Sequence, residues 1–169
     1  MTASPVTTPP PGAKIPDQDL GRIAPDDLRS AGIYEGCFGC GKDVADGLKV
    51  ERTASDGTAV YGHFHVGERH QGAPGLAHGG LLATAMDEIL GTAAWSLGRM
   101  AVTGRLETDY RTPVPVGSTV YLKAWCTGVE GRKIYLRSEG RLDAPDGPVA
   151  VEAAALFVEV PPAHFTQER

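Results

Sequence analysis

The sequence predicts an α+β domain in which a curved antiparallel β-sheet wraps one long central helix. Only residues 79–97 combine helical length with an almost unbroken apolar character. Six other runs are rich in β-branched or aromatic residues and are set apart by Gly, Pro and Asp. The short gaps within the first two runs and within the last four favour antiparallel neighbours over crossover connections, although not every consecutive pair need be adjacent. A helix that is apolar around most of its girth must be covered on more than one side. A sheet that curls around it meets that need.

Along the chain, residues 1–16 are proline-rich with threonine, serine and alanine. Such a composition buries too little apolar surface to offset its ordering entropy, and disorder is expected there. Residues 17–35 form a lead-in, with Asp26 and Asp27 before Leu28 as a helix start. The chain therefore divides into a disordered or irregular segment (1–30), a folded domain (31–162) and a tail (163–169). Within the domain, Leu48–Thr53 and Thr58–Val66 are two strands around the turn signal Ser55-Asp56-Gly57. A loop, Gly67–Ala77, leads to the helix. Four strands follow: Ala101–Arg111, Thr119–Thr127, Lys133–Leu142 and Val149–Val160. Pro113, Pro115-Val116-Gly117, Gly128, Gly131 and Pro145-Asp146-Gly147 punctuate their gaps.

A length of 169 residues suits one domain with a real core. A formal charge of -5 argues against a nucleic-acid partner, which calls for a basic surface. No apolar run approaches the roughly 20 residues needed to span a bilayer, and membrane insertion is not expected. The start lacks the charged-then-apolar pattern of a secretory signal. Cys37, Cys40 and Cys126 are too few for a disulfide framework. Together these point to the cytoplasm.

The helix carries the chemistry. Between Gln71 and Gly98 the only Asp, Glu, Lys or Arg residues are Asp87 and Glu88. Stepping about 100° per residue, Asp87 shares a face with Gly80, Thr84, Gly91, Ala94 and Gly98. Leu82, Ala85, Met86, Ile89, Ala93 and Leu97 form a separate greasy side for the sheet. A carboxylate on a face of small residues is costly to bury unless it is paired or used; a solvated stripe is the plainer alternative. His78-Gly79-Gly80 opens the helix, so first-turn N–H groups and the helix dipole face outward, suited to an oxyanion or a polarised carbonyl. The two glycines let a ligand approach those amides closely, or simply ease a tight turn. His78 and Asp87 lie about 180° apart around the helix and roughly 13 Å apart along it. They cannot form one dyad in one chain. If both serve one site, the acid comes from a second copy, and a homodimer with shared sites follows.

The stretch Gly75-Leu76-Ala77-His78-Gly79-Gly80-Leu81-Leu82-Ala83-Thr84-Ala85-Met86-Asp87-Glu88 resembles the signature of the PaaI-like hotdog thioesterases, an HGG followed six residues later by an acid. The similarity continues through Thr103, Asp109–Gly117, Val129–Lys133 and Phe157, covering about residues 34–160. Cys37-Phe38-Gly39-Cys40-Gly41 with Gly47-Leu48 is similar to the entry segment of a subgroup. The resemblance implies a hotdog fold and hydrolysis of an acyl-CoA thioester. Asp87 matches the catalytic acid, as nucleophile or as general base. Gly79 matches the amide that polarises the thioester carbonyl, and His78 shapes that turn and orients the thioester. Thr103 matches a hydroxyl that holds the attacking water, and Gln71 sits where an amide side chain lines the site. No cofactor or metal is implied; coenzyme A enters as part of the substrate, with Arg132 and Lys133 near its phosphates or simply in a solvated turn. The resemblance also implies a dimer of dimers.

Other readings remain open at this point. His63 and His65 share a strand face near His70 and His78, and with Cys37 and Cys40 they offer metal-binding residue types, yet a structural zinc site wants four ligands. Cys126 mid-strand is a conceivable nucleophile but more naturally filler. Within the fold, a hydratase or dehydratase would use a His with an acid, such as His78 with Glu88. A non-catalytic acyl-CoA-binding protein is the alternative from another class. Trp95, Leu90 and Phe64 line an acyl tunnel or belong to the core.

Overall fold

The structure, a computed structural model, describes residues 3–16, 34–57 and 59–166. The expected helix start at Asp26 and Asp27 lies outside the described residues. Six strands, β1 (Glu51–Ser55), β2 (Ala59–His65), β3 (Ala101–Tyr110), β4 (Thr119–Glu130), β5 (Lys133–Leu142) and β6 (Val149–Glu159), form one sheet. Their order is β1-β2-β4-β5-β6-β3, with every neighbour antiparallel. Helix α1 (Gly79–Ser96) lies against β2 through β6, and a short helix α2 (Ala163–Thr166) follows the last strand. This is the expected α+β architecture, a curved sheet around one long helix.

The core sits between α1 and the inner face of the sheet. Leu82, Ala85, Met86, Ile89, Leu90, Ala93 and Ala94 of the helix are buried. They meet Val60 and Phe64 of β2, the alternating Val120, Leu122, Ala124 and Cys126 of β4, and Ile134, Leu136, Val151, Ala153, Ala155 and Phe157. Full burial of a side chain such as Met86 contributes about 1.5–3 kcal/mol. Ala94 departs from the angular reading: it falls on the Asp87 side yet is fully buried. Gly91, one turn earlier on that side, faces the Phe157 ring, so the sheet covers this face towards the helix C-terminus. Phe64 and Leu90 are core residues. Trp95 packs edge-on against Tyr34 and Phe165, joining the entry segment to the tail.

Three boundaries differ from expectation for local reasons. The first strand begins at Glu51 because Lys49 takes φ 54, and Leu48 and Val50 donate to the carbonyls of Phe38 and Gly39 instead. Gly128 does not end β4; the strand continues to Glu130 through an irregularity between Cys126 and Gly128. Residues 3–16 are not loose. Glu107 of β3 accepts hydrogen bonds from the N–H and hydroxyl of Ser4 and from the Thr7 hydroxyl. Lys14 bridges to Val129, and Pro9 and Ala13 pack where a side chain at Gly128 would stand. Tyr135 and Ala154 are buried yet outside the main core. Their side chains point to the outer face, which this strap crosses. The proline-rich composition hid the docking because its partners come from β3 and β4.

Strand β3 is an edge strand and has a bulge between Thr103 and Arg105. Side chains alternate faces along a strand, so residues seven apart point oppositely unless an extra residue intervenes. The bulge at Gly104 is that residue. It turns both Thr103 and Tyr110 towards α1.

Candidate active site

The first turn of α1 is capped by its own sequence. His78, in extended conformation (φ -69, ψ 128), accepts the Gly80 N–H on Nδ1 at 2.9 Å. Its carbonyl accepts from Leu81 and Leu82 at 2.9 and 3.2 Å. The Gly79 N–H is therefore the one first-turn amide without an acceptor among the described residues. Of the several donors expected here, the cap leaves a single one directed outward. Tyr110 Oη donates to the Gly79 carbonyl at 2.9 Å, and its ring lies against the Gly79 Cα. Sequence reasoning missed Tyr110. A glycine inside a strand, Gly104, was the available sign that a bulge could bring it round.

Gln71 lies in the loop that feeds this turn. Its Oε1 accepts the Gly75 N–H at 2.7 Å, and its backbone bridges to Ala77. His78 N–H donates to the His70 carbonyl at 2.8 Å. His70 is buried, with Nδ1 accepting the Gly67 N–H. The loop is thus closed on itself, and it fixes where α1 begins.

Asp87 lies eight residues further along α1, half-buried. Thr103 Oγ1 donates to its Oδ1 at 2.6 Å, leaving Oδ2 for a water or a carbonyl carbon. The structure brings Thr103 to Asp87 and Tyr110 to Gly79, but it does not bring Asp87 to Gly79. Their separation along the helix is about 12 Å. Arg132 and Lys133 are exposed at the β4–β5 turn. Arg132 Nε donates to the Glu159 carbonyl at 3.1 Å. Lys133 pairs with Val158, which pairs with Val102 next to Thr103, so the two cations stand roughly 10 Å across the sheet from the carboxylate end of β3.

Other candidates fall away from this pair. Cys126 is buried, and desolvation pushes its thiol up, as for a packing residue. His63 stacks on Tyr121 and lies 3.8 Å from Glu51. Among the described residues one group of metal-ligand atoms converges, Cys37 and Cys40 with Glu88. Burial first, and then Glu88 and the two thiols, raise the Tyr34 phenol beside it.

A six-stranded antiparallel sheet curled around one long helix is the hotdog fold. Residues 74–147 match the family model described as the thioesterase superfamily. Acyl-coenzyme A thioesterase THEM4 of Xenopus laevis is 34% identical over 99 residues, covering 59% of this chain and 44% of that protein. The chain thus spans less than half the length of this curated relative. A solved thioesterase superfamily protein is 35% identical, with a TM-score of 0.55 over 60% of this chain and 49% of that one. The E. coli PaaI protein, at 16% identity, shares the fold over 79% of this chain and 97% of its own, with a TM-score of 0.65.

Proposed function

We propose that this domain hydrolyses acyl-CoA thioesters to the free acid and coenzyme A. The observation that carries the reading is the pairing of one unengaged amide, Gly79 N–H, with one hydroxyl-held carboxylate, Asp87. In the reaction the thioester carbonyl lies against the Gly79 amide, where the helix dipole supports the developing oxyanion. A donor so placed contributes about 2.7–4 kcal/mol to the transition state. Asp87 either takes a proton from a water that attacks the carbonyl carbon, or attacks that carbon itself to form an acyl-aspartyl anhydride that water then hydrolyses; on both routes the C–S bond breaks, and the thiolate is protonated and leaves as CoA. His78 holds the turn, Gly80 keeps its surface open, and Gln71 braces the loop beside the substrate. Arg132 and Lys133 face the phosphates of CoA. No metal or redox group enters these steps.

Because Gly79 and Asp87 stand far apart in one chain, the site is completed by a second copy. The long open edge of β3 supports that assembly, since an unpaired edge is a template for another strand. We infer a homodimer with two composite sites, able to stack into a dimer of dimers. Cys37, Cys40 and Cys126 as thiols fit a reducing compartment such as the cytoplasm, and no helix among the described residues is long and apolar enough to cross a membrane.

Thiol release from a panel of aromatic and fatty acyl-CoAs by wild type and Asp87→Asn tests the reading. We expect the variant to lose about 10²–10⁴-fold in kcat. Equal release by both proteins would overturn it. Hydration of an enoyl-CoA without thiol release would point to a hydratase instead.

A further inference from the structure

The segment before β1 builds a feature that thioester hydrolysis does not use. Cys37 and Cys40 close a tight turn, in which Cys37 N–H donates to the Tyr34 carbonyl at 2.9 Å and Gly41 N–H to the Cys37 carbonyl at 2.7 Å. A side chain at Gly41 would stand 2.3 Å from the Glu35 carbonyl, so only glycine fits. Leu48 and Val50 lash the turn to the chain entering β1 through the Phe38 and Gly39 carbonyls, both at 2.9 Å. Glu88 reaches the same point from α1. Cys37 Sγ donates to Glu88 Oε2 at 3.5 Å, and a Cβ on Gly39 would collide with that carboxylate. The turn is shaped to admit it.

The two sulfurs and one Glu88 oxygen all lie within 4.8 Å of one another, on three half-buried residues. Around a tetrahedral zinc, with Zn–S about 2.3 Å and Zn–O about 2.0–2.2 Å, ligand atoms stand roughly 3.5–3.8 Å apart. Small side-chain rotations therefore close the set on an ion. Two thiolates favour a soft, zinc-class cation over magnesium or calcium.

We propose that Cys37, Cys40 and Glu88 bind one zinc-class divalent cation, with a fourth position open to solvent. Glu88 directly follows Asp87, so the ion ties the entry segment to α1 beside the carboxylate half of the site. Binding requires the thiols to give up their protons, and it strengthens as pH rises.

Titration of the reduced, metal-free full chain with cobalt(II), followed by zinc, tests the proposal. One equivalent of cobalt should bind with a thiolate-to-cobalt charge-transfer band, which zinc then abolishes. Zinc should also shield two thiols from a thiol-specific reagent. The C37S/C40S double variant should lose the band, and Glu88→Gln should keep it with weaker affinity. No band in the wild type overturns the proposal whatever the variants do. A band retained in C37S/C40S places the ion on other groups, and unchanged affinity in Glu88→Gln removes the carboxylate from the ligand set.

Discussion

The two halves of the proposed site are built in different ways. At the start of α1, His78, Gly79 and Gly80 organise themselves within one turn: the His78 ring and carbonyl take three amides and leave that of Gly79. Asp87 instead owes its geometry to a distant element, because Thr103 of β3 holds its carboxylate. The amide half is local sequence chemistry, whereas the carboxylate half exists only once the sheet has closed on the helix. Strand β3 grips both, with Tyr110 at one and Thr103 at the other, and its bulge lets a single edge strand serve the two. A shared support with unequal dependence means that damage to β3 should harm the carboxylate half first.

The strongest way to break the comparison is at Asp87, where Asp87→Asn removes the only charge of the pair. Next is Gly79→Pro, which deletes that N–H and puts a ring where the thioester carbonyl would approach, while keeping the helix start. Proline is favoured at the first helical position, and the His78 conformation, φ -69 and ψ 128, is one a residue before proline readily adopts. Far-UV circular dichroism should be unchanged while kcat falls about 10²–10³-fold. A proline variant as active as wild type removes Gly79 from the mechanism.

Mixing the two defective proteins then asks whether the halves meet across subunits. If each site takes its amide from one chain and its carboxylate from the other, a mixed dimer holds one intact site. Random reassortment of equal amounts should restore about a quarter of wild-type activity. Halves confined to one chain would give no recovery. Thr103→Val comes next in size. Losing one hydrogen bond to a charged group costs about 1.5–3 kcal/mol, so kcat should drop about tenfold or more with KM little changed. A drop in kcat/KM through KM alone would instead assign Thr103 to substrate binding.

The unequal dependence of the two halves also explains what could be seen in the sequence. His78-Gly79-Gly80 is legible because helix capping is local, and Asp87 because an acidic pair in an otherwise apolar helix stands out. The sheet is legible from Gly and Pro punctuation, although Gly128 reads as a strand end when its missing side chain makes room for Pro9 and Ala13. Tyr110 was not legible, since its facing depends on one extra residue at Gly104 that flips the alternation. Glu88 is hidden by its neighbour: a solvated stripe is the plain reading of a helix carboxylate, while its partners lie some fifty residues upstream, at Cys37 and Cys40. The docking of residues 3–16 escaped for the same reason.

That docking supplies the smallest test, because Glu107 lies on β3 between Thr103 and Tyr110. The Ser4 hydroxyl first, then its N–H, the Thr7 hydroxyl and Arg105 stabilise the ionised carboxylate. Against a modest opposing effect of burial they pull it from an ordinary 4.5 down to about 2. A depressed folded-state pKa gives stability that is present above the unfolded value and lost as pH falls through the folded one. Glu107→Gln should therefore lower Tm at pH 7, by a change worth about 1 kcal/mol. The gap to wild type should close between pH 4.5 and pH 2, where Glu107 becomes a neutral acid much like the amide. If β3 mainly supports the carboxylate half, this variant should also soften kcat in step with Thr103→Val while leaving the capped turn at Gly79 intact. A Tm gap that stays constant from pH 7 to pH 2 would mean that the strap is held by packing at Pro9 and Ala13 rather than by the charge on Glu107.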